Sequence, residues 1–185
     1  MTTLHRLRAE PATPENTADF GWWVGSAALG PVTGSAFYGE AVKLRKPVAQ
    51  FVTDDTLEVS VATIQPRPLR VSWMERHFLH TQTFIPLGGR PFLLVLAPPT
   101  PDAEIPDLND VRALLFDGSA GFSLRLGTWH EFPMALQADT DVVVLIRRDT
   151  VRDLRQKQGN EAQGPDLDKK DMLARCGVTL EVELP

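Results

Sequence analysis

Fifteen prolines and thirteen glycines divide this chain of 185 residues into pieces too short for long helices. Proline alone makes up about 8% of the chain, against a usual ~5%. The uncut pieces are rich in Val, Leu, Ile, Phe and Thr, and they fall at residues 49–53, 57–64, 69–77, 82–87, 92–97 and 141–147. Many short β-prone runs between Gly/Pro turns predict an antiparallel barrel or sandwich. Gly88-Gly89 predicts a two-residue hairpin turn, because glycine adopts positive φ freely, so residues 82–87 are expected to pair with 91–97. Three stretches are expected to break the β pattern. Residues 107–116 read as a short helix or turn, with Asp107 as cap and Leu108, Val111, Leu114 and Leu115 as an apolar stripe. Residues 149–158 and 166–175 read as charged surface helices joined by a polar loop, the second stopped by Gly177. Residues 178–184 alternate as a closing strand, and residues 1–17 read as a flexible arm.

Length and composition bound the rest. A 20.5 kDa chain with 43% hydrophobic and 23% charged residues predicts one globular domain, 1–185, able to bury its own core. The net charge of −5 lacks the basic footprint of a nucleic-acid or anionic-membrane binder, so neither partner is expected. Arginine outnumbers lysine fourteen to five, which favours a small acidic ligand, because the planar guanidinium suits carboxylates. A lone Cys176, a polar start without a signal-peptide pattern and no long apolar run predict a cytoplasmic protein. Phosphate-loop, paired-cysteine, His-Glu-x2-His and Gly-x-Ser-x-Gly motifs are absent from the sequence.

From Leu69 the odd positions run Leu69, Val71, Trp73, Glu75, His77, so one face of a single strand passes from apolar to a carboxylate and an imidazole. Inside a barrel such a pair requires a metal, a proton donor or a ligand. Gln82 follows, and a further isolated histidine, His130, comes three residues after Gly127. Glu75 in a surface ion pair with Arg70 or Arg90, His77 and His130 as hydrogen-bonded core histidines and Gln82 as a structural amide are the plainer readings. His5 and His80 are expected at the surface, Trp22, Trp23 and Trp73 in core or dimer contacts, and Cys176 as an inert thiol. Arg90 and Arg125 are candidate clamps for a substrate carboxylate, and Arg76 is less suited because it faces away from Glu75 and His77.

Glu75, His77, Gln82 and His130 resemble the two metal-binding motifs of cupins, although a cupin usually has histidine in place of Glu75 and a carboxylate in place of Gln82. A closer resemblance rests on Gln65-Pro66-Arg67-Pro68-Leu69, Met74-Glu75-Arg76-His77, Thr81-Gln82-Thr83-Phe84-Ile85-Pro86-Leu87, Gly89-Arg90-Pro91-Phe92, Arg112-Ala113-Leu114-Leu115-Phe116-Asp117-Gly118 and Gly127-Thr128-Trp129-His130. These blocks look like the ureidoglycolate lyase family. The resemblance implies a mainly β, cupin-like antiparallel β-barrel or double-stranded β-helix with a few short peripheral helices. It also implies a homodimer, and cleavage of ureidoglycolate to glyoxylate and urea in purine (allantoin) breakdown. Glu75, His77, Gln82, His130 and Glu131 would be the catalytic set, with Arg90, Arg125, Ser123 and Trp129 binding substrate. The chemistry would be acid–base alone, or assisted by a divalent metal (Ni, Mn, Fe or Zn) on Glu75, His77, Gln82 and His130. Two departures bear on substrate: Glu131 stands where the family usually has a second histidine, and Phe122-Ser123-Leu124 where it tends to have Val-Asn-Tyr. A cupin lyase or hydrolase for another small acid, or a non-catalytic acid-binding cupin, are the alternatives.

Overall fold

The computed structural model describes residues 3–25, 31–45 and 49–185. Its central element is the strand Phe92–Ala97, every side chain of which is buried. Successive side chains alternate across a strand, and here each face meets its own core. Leu93, Val95 and Ala97 pack with Leu7, Val71, Leu180 and Val182, whereas Phe92, Leu94 and Leu96 pack with Phe84, Phe122, Val142 and Val144. A sheet apolar on both faces needs a cover on each.

One cover is a three-stranded sheet ordered Thr3–Arg8, Val178–Glu183, Arg70–Val71. The other has five strands, ordered Gly21–Gly25, Ala120–Leu124, Thr83–Pro86, Thr140–Arg147, Leu57–Ile64. The central sheet between them runs Ala162–Gln163, Leu167–Asp171, Trp73–His77, Trp129–His130, Phe92–Ala97, Arg112–Phe116, Glu10–Pro11, with Met134–Ala135 also paired to Phe92–Ala97. The central and five-stranded sheets enclose the second core as a cupin-like β-barrel, the class expected. Peripheral to it are a ribbon, Val32–Ser35 with Gly39–Arg45, and the helices Arg148–Arg155 and Met172–Cys176. No helix among the described residues is long and apolar enough to cross a membrane.

The strands Leu57–Ile64 and Phe92–Ala97 have the expected bounds, and Gly177 ends its helix in the left-handed conformation, φ 71°. Six expectations are overturned in whole or in part, the first being that residues 69–77 form one strand: Arg70–Val71 pairs with Val178–Glu183 and buries Val71 in the first core, whereas Trp73–His77 belongs to the central sheet. Gly88 and Gly89 do take positive φ (74° and 68°), yet the strands they join enter different sheets: Pro86 pairs with Val142, and Phe92 with Phe116. The corner packs onto Gly118, where a Cβ would stand 2.5 Å from the backbone of Gly89 and Arg90. Of residues 107–116, the expected turn forms at 108–110, with the Asp107 side chain accepting from the Asn109 amide, but Arg112–Phe116 is a strand whose Ala113 faces the first core and whose Leu114 and Phe116 face the second. A strand buried on both faces is a continuous apolar run, and periodicity alone cannot separate that from a helix. Residues 167–171 form a strand as well, because their charges find partners across it: Asp168 with Arg76, and Lys169 with Glu75. The expected arm at residues 1–17 is fixed by Thr3–Arg8, which pairs parallel to Val178–Glu183 and buries Leu7; residues 1–2 lie outside the described residues. Residues 49–53 form no strand, only an isolated bridge from Thr53 to His80.

Leu94 is fully buried in the barrel core. Leu94→Ala is expected to lower unfolding free energy by about 2–5 kcal/mol through lost transfer energy and the cavity left behind. Leu184→Ala, at a position 47% exposed, is expected to shift it by no more than about 0.5 kcal/mol. Denaturant unfolding measures both.

Candidate active site

Cross-strand partners in a sheet point to the same face, and one row of partners crosses four strands: Lys169, Glu75, His130, Leu96. Leu96 belongs to the barrel core, so Glu75, His130 and Lys169 face the barrel interior, with His77 two residues along on the same face. The even-numbered neighbours go the other way. Arg76 is buried against Asp168 at 2.9 Å and lies over the Trp129 ring at 4.2 Å, as expected of a side chain facing away from Glu75 and His77.

The polar interior is close-knit. Glu75 Oε2 accepts from Lys169 Nζ at 2.7 Å, while Glu75 Oε1 stands 3.5 Å from His130 Nε2 and 3.9 Å from His77 Nε2. His130 Nδ1 lies 3.0 Å from the Thr128 carbonyl and Nε2 2.7 Å from Gln82 Oε1. Both ring nitrogens of His130 thus face oxygen acceptors. Glu131 is 8% exposed, and its Oε1 accepts from Arg67 at 2.9 Å. Behind His77, Asp166 accepts from the amides of Phe78 and Leu79 (3.1 and 2.6 Å), from Thr150 Oγ1 and from His80 Nδ1 at 2.7 Å. This carboxylate ties the loop after Trp73–His77 to the helix Arg148–Arg155.

Electrostatics separate the two glutamates. Burial alone would raise the Glu75 carboxyl, but the Lys169 ammonium and the imidazoles of His130 and His77 hold it well below the usual carboxylate range. Burial pushes the Glu131 carboxyl up, and Lys169 and Arg67 offset only part of that. His77 is lowered to about 3, by burial first and then by the charge of His130, with Glu75 opposing.

Glu75, His77, Gln82 and His130 lie together, and Glu131, next along the chain, is held by Arg67 and feels the Lys169 charge. The four substrate-binding candidates do not join them. Arg90 donates to the carbonyls of Ala138 and Asp139 at the protein surface. Arg125 donates to the Ala18 carbonyl over the Trp22 ring. Ser123 hydrogen-bonds Thr83 at 2.8 Å, on the face opposite Phe84 and Phe122. Trp129 points into the other core and donates to Thr100. His80, expected at the surface, is fully buried on Asp166, and Trp73 is 39% exposed. The residues not anticipated are Arg67, Asp166 and Lys169. Reading Leu167-Asp168-Lys169-Lys170-Asp171 as a strand would have placed Lys169 on the face of Leu167.

Glu75, His77 and His130 bring ligand atoms within 4.8 Å of one another, and neither ring nitrogen of buried His77 has a hydrogen-bond partner among the described residues. Separations of 3.5 and 3.9 Å between donors suit a divalent ion bound at roughly 2.0–2.2 Å by each, so this donor set fits a metal.

A family model described as ureidoglycolate lyase matches residues 4–166. The chain belongs to the ureidoglycolate lyase family. A protein of Pseudomonas aeruginosa named ureidoglycolate lyase is 33% identical over 152 residues, which cover 78% of this chain and 85% of that protein. A Pseudomonas putida protein of the same name is 33% identical over 78% of this chain and 86% of its own length. An Azotobacter vinelandii ureidoglycolate lyase is 38% identical over 91 residues, or 49% of this chain; the chain spans about half the length of that relative. The family match takes in Glu75, His77, Gln82, His130 and Glu131 and stops at Asp166, ahead of Lys169.

The lowered His77 sets a pH dependence for metal-free protein. Between its folded value near 3 and its unfolded value of 6.5 the unfolded chain binds the extra proton, so stability rises with pH in that window. Chelator-treated protein is expected to lose stability as pH falls from 6.5 to 4.5, before the lowered carboxylates begin to contribute. Thermal melts across that range should show a shallower slope for His77→Asn.

Proposed function

We propose that this protein is a carbon–nitrogen lyase that splits ureidoglycolate into glyoxylate and urea. The observation that carries the reading is the buried cluster of Glu75, His77, Gln82 and His130 in a member of this family, with Glu131 beside it on Arg67; burial pushes the Glu131 carboxyl up while Lys169 and the imidazoles hold Glu75 down. Paired groups whose environments drive their proton affinities apart are how one site supplies a base and an acid together.

Ureidoglycolate carries hydroxyl, carboxylate and urea nitrogen on one carbon. Forming the carbonyl removes the hydroxyl proton and sends the C–N electron pair to nitrogen, which must gain a proton; no net oxidation occurs. Glu75, kept ionised by Lys169, is suited to take the hydroxyl proton at Oε1. Glu131, the carboxyl of the pair that holds a proton more readily, is suited to deliver one to the departing nitrogen. His130 Nε2 and Gln82 orient the carbinol oxygen, and His77 stays neutral beside them. A divalent ion held by Glu75, His77 and His130, with Gln82 adjacent, would supply Lewis-acid polarisation of the carbinol oxygen; nickel, manganese, iron and zinc all accept this mixed nitrogen–oxygen donor set.

We further propose a cytoplasmic homodimer acting in purine breakdown. The exposed valines Val59 and Val61 on the edge strand Leu57–Ile64 favour contact with a second copy, and an exposed free thiol at Cys176 suits a reducing compartment.

Purified protein incubated with racemic ureidoglycolate is expected to release glyoxylate and urea in equal amounts, and a rate equal to background would sink the reading. Glu75→Gln and His130→Ala are each expected to lower kcat about 10²–10⁴-fold, while metal analysis before and after chelation tests the ion. Light scattering of eluting protein is expected to give twice the chain mass, with Val61→Asp shifting it toward the monomer.

A further inference from the structure

A cavity of about 370 Å³ opens at the rim of the barrel, with Trp73, Leu154, Lys157, Asn160 and Lys169 among its walls. Trp73 and Lys169 lie on the sheet face that carries Glu75, so the cavity reaches the polar row at Lys169. Lys169 belongs to both places. Its Nζ bonds Glu75 Oε2 at 2.7 Å while its side chain remains 24% exposed. An ammonium has three donors, and one hydrogen bond to protein is made here.

Of the arginines nearby, Arg76 is held by Asp168 and the carbonyls of Thr100 and Ala103 and Arg175 by Glu161 and Glu104, while Arg67 spends one donor on Glu131. A small anion reaching Glu75 meets like charge there, and Lys169, with open donors on the same carboxylate, can offset that repulsion. We propose that Lys169 binds the carboxylate of the substrate, that the cavity beside it is the entrance, and that Lys157 at the rim draws the anion in. This rests on the ureido-acid reading above. The carbinol carbon is bonded directly to the substrate carboxylate, so anchoring that carboxylate at Nζ brings the hydroxyl alongside Glu75 and turns the ureido group toward Glu131. Lys169 thereby fills the role that Arg90 and Arg125 do not.

The test pairs a deletion on the protein with a deletion on the ligand. Oxalurate, a stable ureido acid in which a carbonyl replaces the carbinol, and its neutral amide oxaluramide are titrated calorimetrically into wild type, K169Q, K169M and K169R. Wild type is expected to prefer oxalurate about ten- to hundredfold, the size of a hydrogen bond to a charged group. K169Q and K169M should bind both ligands alike, and K169R should keep most of the preference. For ureidoglycolate, KM of K169Q should rise by a similar factor, and kcat should fall as well because Glu75 loses the ammonium that keeps it ionised.

Equal binding of the two ligands by wild type overturns the proposal without any variant, as does a preference that survives in K169Q or K169M. A loss of kcat at unchanged KM also overturns it, since Lys169 would then act only through Glu75. Wild type that binds oxalurate through Lys169 yet releases no glyoxylate overturns the lyase reading instead and leaves the anchor standing.

Discussion

Everything in this protein is arranged around a strand that has no wet side. Phe92–Ala97 presents apolar side chains to two cores at once, and at roughly 1.5–3 kcal/mol for each large side chain buried neither face can be left to solvent. Hence the three layers: one sheet supplies Leu7, Val71 and Leu180, another Phe84, Phe122 and Val144. The barrel follows from this double burial, and the strands flanking Phe92–Ala97 inherit its two-faced register. Because Leu96 points into the barrel, its cross-strand partner His130 must as well, and so must Glu75 and Lys169 beyond it.

That inheritance puts charge where water is scarce. Isolated, a buried carboxylate would be severely destabilising, and only close counter-charges with good geometry offset its desolvation. Glu75 has Lys169 on one oxygen and two imidazoles near the other, while Glu131 has Arg67. On the opposite face of the same strands, Arg76, Asp168 and Lys170 form a second paired set that touches Trp129 rather than the barrel. Two charge networks thus share one set of strands, kept apart by the alternation of side chains alone.

This alternation also decides what the sequence could reveal. Trp73, Glu75 and His77 share a face by local spacing, so the heart of the site was legible from one five-residue strand. His130 was legible from its place after Gly127 and from the family resemblance. Lys169, Arg67 and Asp166 were not, because each reaches the cluster from a distant segment and is assigned to it only by cross-strand register or loop path. Residues 112–116 and 167–171 were mistaken for helix for opposite physical reasons, the first being apolar on both faces and the second charged on both. The strand Thr3–Arg8 was missed because its partner, Val178–Glu183, lies about 175 residues away, beyond any local signal.

The pairing of residues 3–8 with 178–183 has a consequence for synthesis. Lys169 and Asp166, which neutralise or anchor the barrel's polar groups, and the strand that holds residues 3–8 in place are all synthesised after the barrel strands they complete. Until these emerge, Glu75 lacks its counter-ion and one face of Phe92–Ala97 lacks its cover. The nascent barrel is therefore an uncapped intermediate with apolar surface exposed, the kind of species that chaperones bind, and the site is completed in the same late event that closes the fold.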